Sequence, residues 1–340
     1  MARNLKGQDA TLREVLAMFE CFEIPAYQRP YAWDDEKQSV DLFQELIDGW
    51  STERDARRGD PHAEKWCFFG SIVLVDAVQN EPYPHPRAEI VDGQQRLTTF
   101  SLLLSAIKSE LPPPQNGIVD AFLGTAVRPK IRSRAIDRTF YNNAIVNGGV
   151  FDVNGAGIQA QGIPQANMAN NARWFKQRLQ EEFHGDDISL TAFAEYILDR
   201  TLFVVIRAGN PAASLRMFQT INAKGLDLKN SDLLKSEMLV RMENVGMPAD
   251  VVNQYSEDWE RCESSIINQT NKEEEFEWML GHMRMIYKRA KQQETLYEEL
   301  KSVFDDEMVV PPPNDNNPCP IFDLMVFPYA NIYSVCPLNH

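Results

Sequence analysis

The strongest strand pattern in the chain is the run of residues 67–75, which is rich in β-branched and aromatic side chains. A proline-rich turn separates it from a second apolar run at 88–91, so the two runs are expected to form a β-hairpin with a long loop. Residues 202–206 form another apolar run that is expected to join the same sheet. Residues 22–25 are typical of a short strand that enters a turn. These patterns predict one sheet in the first two thirds of the chain.

Apolar residues at helical spacing predict helices between these strands. One such helix has Asp35 as its expected N-cap and Gln38 in the reciprocal capping-box position, followed by apolar residues Val40, Phe43, Ile47 and Trp50. A second helix opens at Gly93 and is expected to bury Leu97, Phe100, Leu104 and Ile107. It ends before the prolines at 112–114, which cannot continue a helix.

The second half of the chain is expected to be mainly helical. A segment rich in Gly, Asn and Gln at about 146–168 is interpreted as a flexible surface loop, and helix resumes with Trp174, Phe175 and Leu179 on one face. We therefore predict an α+β fold. Its first domain, residues 1–240, has a helical, loop-rich insertion at about 115–200, and residues 241–340 form a helical extension.

Composition is ordinary for a globular protein and excludes some classes of function. The 340 residues contain no run that could span a membrane and no secretion signal at the N-terminus, so a cytoplasmic protein is expected. The five cysteines are scattered without a C-x-x-C pair, which favours reduced thiols over a zinc site. A formal net charge of −15 argues against a protein that coats duplex DNA indiscriminately.

One local group of cations stands out against that acidic background. Basic residues recur at strand-like spacing in Arg128, Lys130, Arg132, Arg134 and Arg138. Two interpretations are open. The residues form either a solvated edge strand protected by charge or a strip that contacts phosphates.

An aromatic segment at 24–33 offers a second candidate surface. Its polar and aromatic members are Tyr27, Gln28, Arg29, Tyr31 and Trp33, bracketed by Pro25 and Pro30. Aromatic faces beside a guanidinium can stack on and clamp a base or nucleotide. The alternative is a cluster that anchors the first strand to the following helix.

The most informative segment is Asp92-Gly93-Gln94-Gln95-Arg96, which leads from an apolar run directly into a helix. A helix N-terminus presents backbone N–H groups and a partial positive charge, which suits phosphate. Gly93 allows close approach of a ligand to the backbone, and Arg96 supplies a fork-shaped cation. The segment is therefore a candidate anion site.

A third segment is a polar turn between two helices. Residues Asn222 and Gly225 tolerate left-handed backbone, and Asn222 and Lys224 could reach a ligand from this turn. An ordinary corner between two helices is the alternative interpretation.

Together these segments resemble a known family. The order I-P-x-Y-Q-R-x-Y-x-W, F-x-G-S-I-V-L, D-G-Q-Q-R-L-T-T and F-x-x-I-N-x-x-G-x-x-L-x-x-x-D-L-L-K-S, over roughly residues 15–240, is similar to the S-domain family of GmrSD-type modification-dependent restriction proteins. That family includes SspE-type factors that sense phosphorothioated DNA. The resemblance implies a ParB/sulfiredoxin-like core that binds and hydrolyses GTP or ATP and senses modified phage DNA, such as phosphorothioated or glucosylated DNA.

Carried over to this sequence, the resemblance implies specific roles. The phosphates would contact Gly93, Thr98, Asn222 and Lys224, and the catalytic residues would be Asp92, Gln94, Gln95 and Arg96. Asp92 would hold Mg²⁺, Arg96 would stabilise the transferred phosphoryl group, and a glutamine would position water. DNA or its modification would be bound by Tyr27, Gln28, Arg29, Tyr31, Trp33, Arg128, Lys130 and Arg132.

The resemblance also implies a nuclease partner. Members of the family carry or pair with an HNH nuclease domain, yet none of the five histidines here lies in an HNH motif. The nuclease is therefore expected beyond residue 340 or in a partner protein, with a homo-oligomer also open. Two alternatives remain, namely a ParB-like sensor that binds without hydrolysis and a nuclease in its own right.

Overall fold

The structure is a computed structural model that describes residues 5–76, 87–152, 158–208, 229–270, 272, 274–314 and 317–335. The chain divides into two compact units. Unit 1 comprises Met1–Pro25 and Pro30–Phe218, and unit 2 comprises Ala26–Arg29 and Gln219–His340. These units are groups of residues that contact one another, and they do not test whether separate domains meet near residue 240. The domain boundary at residue 240 therefore stays a prediction.

Unit 1 is built on one mixed six-stranded sheet. The strands are β1 (Leu5–Thr11), β2 (Cys21–Glu23), β3 (Cys67–Asp76), β4 (Arg87–Asp92), β5 (Ile131–Arg132) and β6 (Thr201–Ala208). Their order across the sheet is β1-β6-β3-β4-β2-β5. The predicted hairpin is confirmed because β3 and β4 pair antiparallel, and β6 joins the sheet as expected by pairing parallel with β3.

Helices cover the apolar face of this sheet. In chain order they are α1 (Leu12–Met18), α2 (Gln38–Ala56), α3 (Gln94–Glu110), α4 (Gly117–Leu123), α5 (Ala135–Phe140), α6 (Ile163–Phe183) and α7 (Asp187–Arg200). A π-helical turn, Tyr141–Val146, and a short 3-10 turn, Gly149–Phe151, follow α5. The predicted inner positions of α3 are confirmed, since Leu97, Phe100, Leu104 and Ile107 are at most 1% exposed.

Two local predictions were wrong. Asp35 does not cap α2. Instead Asp34 Oδ1 accepts hydrogen bonds from the backbone N–H groups of Glu36 and Lys37, which forms a turn before the helix begins at Gln38. The loop expected to run to about residue 168 is also shorter, because α6 begins at Ile163 with a proline in its first turn, where a proline needs no hydrogen-bond donor.

Unit 2 is helical within its described residues. Its helices are α8 (Asn230–Asn244), α9 (Ala249–Thr270), α10 (Glu275–Lys288), α11 (Leu296–Phe304) and α12 (Phe327–Val335), with a π-helical turn at Ile321–Val326. Trp259, Phe276 and Phe322 lie at the centre of its separate apolar core. The α+β class is confirmed, while the more specific likeness to ParB and sulfiredoxin stays a prediction.

Gly93 joins β4 to α3 in a conformation that favours glycine. Its φ is 93° and its ψ is 5°, in the left-handed region. A Cβ at this position would lie 3.0 Å from Ile72 Cγ1, a side chain that is fully buried in β3. The strand-to-helix turn therefore depends on glycine for both its backbone angles and its packing.

We predict that Gly93→Ala lowers the free energy of unfolding by about 1–2 kcal/mol, because alanine pays the left-handed penalty. Urea denaturation followed by circular dichroism measures the change. Gly117→Ala is the matched control, since Gly117 opens α4 and a Cβ there would meet no atom within 4 Å. The control is expected to be neutral or stabilised by up to about 1 kcal/mol. Equal losses in both variants would contradict the prediction.

Candidate functional site

The sheet topology brings two of the sequence segments to the same edge. Strands β2, β4 and β5 run parallel to one another, with β2 between the other two. Because parallel strands end at the same edge of a sheet, the segments that follow them start side by side. The segment after β2 contains Tyr31 and Trp33, and the segment after β4 is the Gly93 turn.

The Gly93 turn leads into α3, a long helix whose first residues, Gln94 and Gln95, are buried. The first intrahelical bond runs from the Leu97 N–H to the Gly93 carbonyl, at 2.9 Å. Gly93, at the N-cap position, has no side chain to cap the helix, and the first turn of α3 contains no acidic residue. A helix end of this kind carries a partial positive charge that an anion can neutralise.

Arg96 is held in a fixed position beside this helix end. Its Nη2 donates to Asp92 Oδ2 at 3.2 Å, and its Nη1 donates to the Phe69 carbonyl at 2.6 Å. A Cβ on Gly70, whose φ is 82°, would lie 2.6 Å from Arg96 Nη1. The Arg96 side chain is 21% exposed, so part of a preoriented guanidinium stays accessible.

Gln95 connects the two segments. Its Oε1 accepts from the Ala32 N–H at 2.9 Å, and its Nε2 donates to the Pro30 carbonyl at 2.9 Å. Both ends of the amide are therefore occupied by backbone groups of the segment that follows β2. In this arrangement Gln95 positions that backbone, while its predicted role in orienting water stays a prediction.

Tyr31 reinforces the same connection. Its hydroxyl lies 2.8 Å from Thr99 Oγ1 and accepts a hydrogen bond from Asn171 Nδ2 at 3.3 Å. Asn171 also donates to the Trp33 carbonyl at 2.9 Å. Tyr31 is 1% exposed, and burial raises the pKa of its hydroxyl well above the ordinary value. These contacts support the anchoring interpretation for Tyr31.

Two other predicted residues of α3 are buried. Gln94 is 5% exposed at the first position of the helix, and Thr98 is 2% exposed one turn later. The Thr98 hydroxyl oxygen has no hydrogen-bond partner among the described residues. Their predicted roles toward water and nucleotide stay predictions.

The five cations at 128–138 do not form one uniform strip. Arg128 is exposed, whereas Lys130 donates to the Phe19 carbonyl at 3.1 Å and burial lowers its pKa. Arg134 is buried in an ion pair with Asp137 at 2.6 Å. The edge position of β5, a strand of only two residues, agrees with the edge-strand interpretation without testing phosphate contact.

Arg132 belongs to a charged cluster on the second face of the sheet. Glu23 Oε1 lies 3.5 Å from Arg132 Nη1, and Glu23 Oε2 lies 3.9 Å from Arg87 Nη1. The pKa of Arg138 is lowered, first by burial and then by repulsion from Arg132. We call Glu23, Arg87, Arg132 and Arg138 the sheet-face cluster. It holds three cations beside Glu23, and Glu89, which pairs in register with Glu23 on the neighbouring strand β4, lies on the same face of the sheet.

Unit 2 contains Tyr27, Gln28 and Arg29 of the aromatic segment, and it contains the described residues that follow the predicted polar turn. Tyr27 packs against the core of unit 2, Gln28 is 4% exposed, and the Ala26 carbonyl accepts from the Ser256 hydroxyl at 2.9 Å. Asn222 and Lys224 lie outside the described residues, so the structure adds nothing about them.

A cluster of titratable residues surrounds the start of α8 in unit 2. Burial raises the pKa of Asp232, and the positive charge of Arg29 offsets part of this increase. Burial and the neighbouring Asp232 raise the pKa of Glu263 to about 7. Buried Lys235 forms an ion pair with Glu260. The sequence analysis missed Glu260 and Glu263, because they lie on α9 and carry no signal beyond the spacing of an amphipathic helix.

Two further findings concern metals, thiols and membranes. Within the described ranges no three or more His, Cys, Asp or Glu residues converge as a metal site, and the four cysteines there are free thiols. No helix in the described part of the chain has the length and apolar character needed to cross a membrane.

Fold and site together define an α+β domain in which a fixed arginine lies beside a helix N-terminus. The model of a family described as the GmrSD restriction endonuclease, N-terminal domain, matches residues 11–239. The chain belongs to this family, which gives it a role in a restriction system and thereby in phage defence. No curated protein matches the chain.

We predict that Gln95→Glu lowers the free energy of unfolding by about 1–3 kcal/mol, because a carboxylate oxygen would replace the donor that faces the Pro30 carbonyl. Hydrogen exchange at the Ala32 amide should also accelerate. Urea denaturation and exchange mass spectrometry measure both effects. The same change at exposed Gln8 of β1 is the control and should leave both measurements near wild type. Unchanged stability in Gln95→Glu would show that the amide contacts contribute little.

Proposed function

We propose that the chain is the nucleotide-binding and hydrolysing part of a modification-dependent restriction system. In this proposal GTP or ATP turnover and recognition of modified phage DNA control an HNH nuclease, located in the same protein or in a partner. The site of action is the cytoplasm, where phage DNA arrives. Membership of the GmrSD N-terminal family supports a restriction role, and the finer activities rest on the site.

The Gly93 turn carries the proposal. It combines a helix N-terminus whose N-cap residue, Gly93, has no side chain with a guanidinium fixed by Asp92 and Phe69. Phosphate groups suit this combination because backbone N–H groups and a rigid fork of donors both point at an anion. Since the donors are fixed before a ligand arrives, little reorganisation is needed when charge develops on a transferred phosphoryl group.

The residues of the turn take distinct roles in hydrolysis. Arg96 would stabilise the charge on the phosphoryl group, and the first amides of α3 would hold the neighbouring phosphate. One of the two glutamines would position the attacking water, and the amide of Gln95 also holds the backbone of Pro30 and Ala32. Gln95 and Tyr31 would then keep the wall of the site in place.

Asp92 fits a role as a magnesium ligand. Mg²⁺ that accompanies phosphates needs only one or two protein carboxylates, because phosphate oxygens and water complete its coordination. Arg96 occupies one oxygen of Asp92, and the side chain is 19% exposed. The ion would neutralise phosphate charge, while Asp92 would both hold it and orient Arg96.

DNA contact is proposed at the sheet-face cluster together with the nearby exposed Arg128 and with Lys130. Arg87, Arg132 and Arg138 lie around Glu23, with Glu89 beside it in register on β4, and repulsion from Arg132 contributes to the lowered pKa of Arg138. A phosphate placed there would relieve that repulsion. Tyr27, Gln28, Arg29 and Trp33 remain proposed readers of the modification.

We predict that Arg96→Ala lowers the rate of phosphate release from GTP or ATP by about 100-fold or more, because the transition state loses a preoriented donor. A steady-state phosphate-release assay with Mg²⁺ measures the rate, with and without modified DNA. Gly70→Ala should reduce the rate too, since its Cβ would displace Arg96 Nη1 without removing the charge.

Arg178→Ala is the control, because this arginine belongs to α6, where it pairs with Glu181 and lies over the Trp174 ring, and not to the Gly93 turn. It should hydrolyse at the wild-type rate. Calorimetric titration with a non-hydrolysable GTP analogue separates the alternatives. Binding without phosphate release by wild-type protein would favour the non-hydrolysing sensor, and normal hydrolysis by a folded Arg96→Ala protein would rule out the proposed role.

We predict that Arg132→Ala weakens binding to modified duplex DNA and reduces the dependence of log affinity on log salt by about one. The reason is the loss of one phosphate contact and its released counterion. Fluorescence anisotropy over a series of salt concentrations measures both quantities. Arg58→Ala removes a more exposed arginine from unit 1 and should change neither. An unchanged salt slope in Arg132→Ala would exclude the contact.

A further inference from the structure

Unit 2 contains a large cleft that none of the sequence segments predicted. Its volume is about 1030 Å³, and its walls come from α10, the loop at 289–292, and the starts of α8 and α11. Pockets for small molecules usually measure about 300–1,000 Å³. We call this space the helical cleft. Its helix α10 and the loop lie beyond the family match.

The open side of α10 forms an apolar floor for the cleft. Trp278 is 37% exposed and Met285 is 59% exposed, and Gly281 lies between them on the same side of the helix. A Cβ on Gly281 would meet no atom within 4 Å. Lys272 Nζ lies 5.2 Å from the centre of the Trp278 ring. An exposed indole beside a bare stretch of helix offers a surface on which a planar group can stack.

The loop that follows α10 brings two exposed cations to the lining of the cleft. Arg289 and Lys291 are exposed, and neither has an ion-pair partner within the described residues. The acidic residue of the cleft, Glu277, is already engaged by the Ser231 N–H and the Asn230 amide. An anionic group bound near the loop would therefore meet two cations.

A buried ion pair holds this loop in place. Arg284 and Glu299 are paired inside unit 2, and Arg284 Nη1 donates to the Ala290 carbonyl at 2.6 Å. Glu299 Oε1 accepts from the N–H groups of Gln293 and Glu294, at 2.6 and 3.1 Å. These bonds, first of all the one from Arg284, lower the pKa of Glu299 to about 2. The loop is thus fixed on both sides of Lys291.

We propose that the helical cleft binds a nucleotide, with its base stacked on Trp278 and its phosphate held by Arg289 and Lys291. A stacking surface beside free cations is the arrangement that binds single-stranded nucleic acid, and the same chemistry suits a free mononucleotide. The cleft is lined by residues of unit 2, and the proposal does not rest on the role proposed for the Gly93 turn. It would give unit 2 a nucleotide contact of its own.

Gly281→Phe tests the proposal by filling the cleft. Phenylalanine is a better helix former than glycine and meets no neighbour at Cβ, so α10 should fold normally. We expect about tenfold weaker binding of a short fluorescein-labelled oligothymidylate, measured by anisotropy with the full chain, or of GTP, measured by calorimetry in the Arg96→Ala background. Gly281→Ala leaves the space open and should bind as before.

Charge removal provides a second test. Arg289→Ala/Lys291→Ala should also weaken binding about tenfold, whereas Arg58→Ala/Arg261→Ala removes two exposed cations elsewhere and should not. Loss of oligothymidylate binding assigns a nucleic-acid strand to the cleft, and loss of GTP binding assigns a mononucleotide. Wild-type protein that binds neither probe, cleft variants that bind both normally, or control variants that weaken equally would overturn the proposal. The role proposed for the Gly93 turn is tested independently, by measuring nucleotide hydrolysis in the Arg96 variants.

Discussion

The two hydrogen bonds of the Gln95 amide are the interaction on which the candidate site depends. They join the first turn of α3 to backbone groups of Pro30 and Ala32, which follow a different strand. A buried amide satisfied at both ends by backbone permits one arrangement of the two segments, because any shift leaves a buried donor or acceptor unpaired. Tyr31 and Thr99 repeat the connection one turn further along α3. The partly exposed side chains at the turn, Asp92 and Arg96, can therefore keep a fixed geometry because the backbone around them is held by these buried contacts.

Much of this arrangement could be predicted from the sequence because its signals are local. The apolar run at 67–75 and the residues after Gly93 follow strand and helix periodicity, and the structure confirms both. The bonds that assemble the site could not be predicted, since they join residues more than sixty positions apart through side-chain amides and backbone. The sequence therefore predicted that Gln95 faces a ligand. In the structure both the oxygen and the nitrogen of its amide are hydrogen-bonded to the backbone of the segment after β2.

The availability of the cations at 128–138 likewise depends on tertiary contacts that the local sequence pattern does not show. Alternating cations at 128–138 suggested a uniform strip, yet Arg134 turns inward to Asp137 and Lys130 reaches a carbonyl. Arg132 instead lies with Arg87 and Arg138 around Glu23, and these residues come from three different stretches of the chain. An acidic protein can thus keep small basic surfaces, because pairing within the fold decides which cations are available to a partner.

The short segment Ala26–Arg29 has a consequence for how the chain can be divided. It belongs to unit 2 although residues of unit 1 precede and follow it, and it supplies the carbonyl that receives the Ser256 hydroxyl and the charge that offsets Asp232. Unit 2 is therefore discontinuous in sequence. No single cut yields two self-sufficient pieces, so any exchange of modules between relatives must transfer these four residues together with the helices they serve.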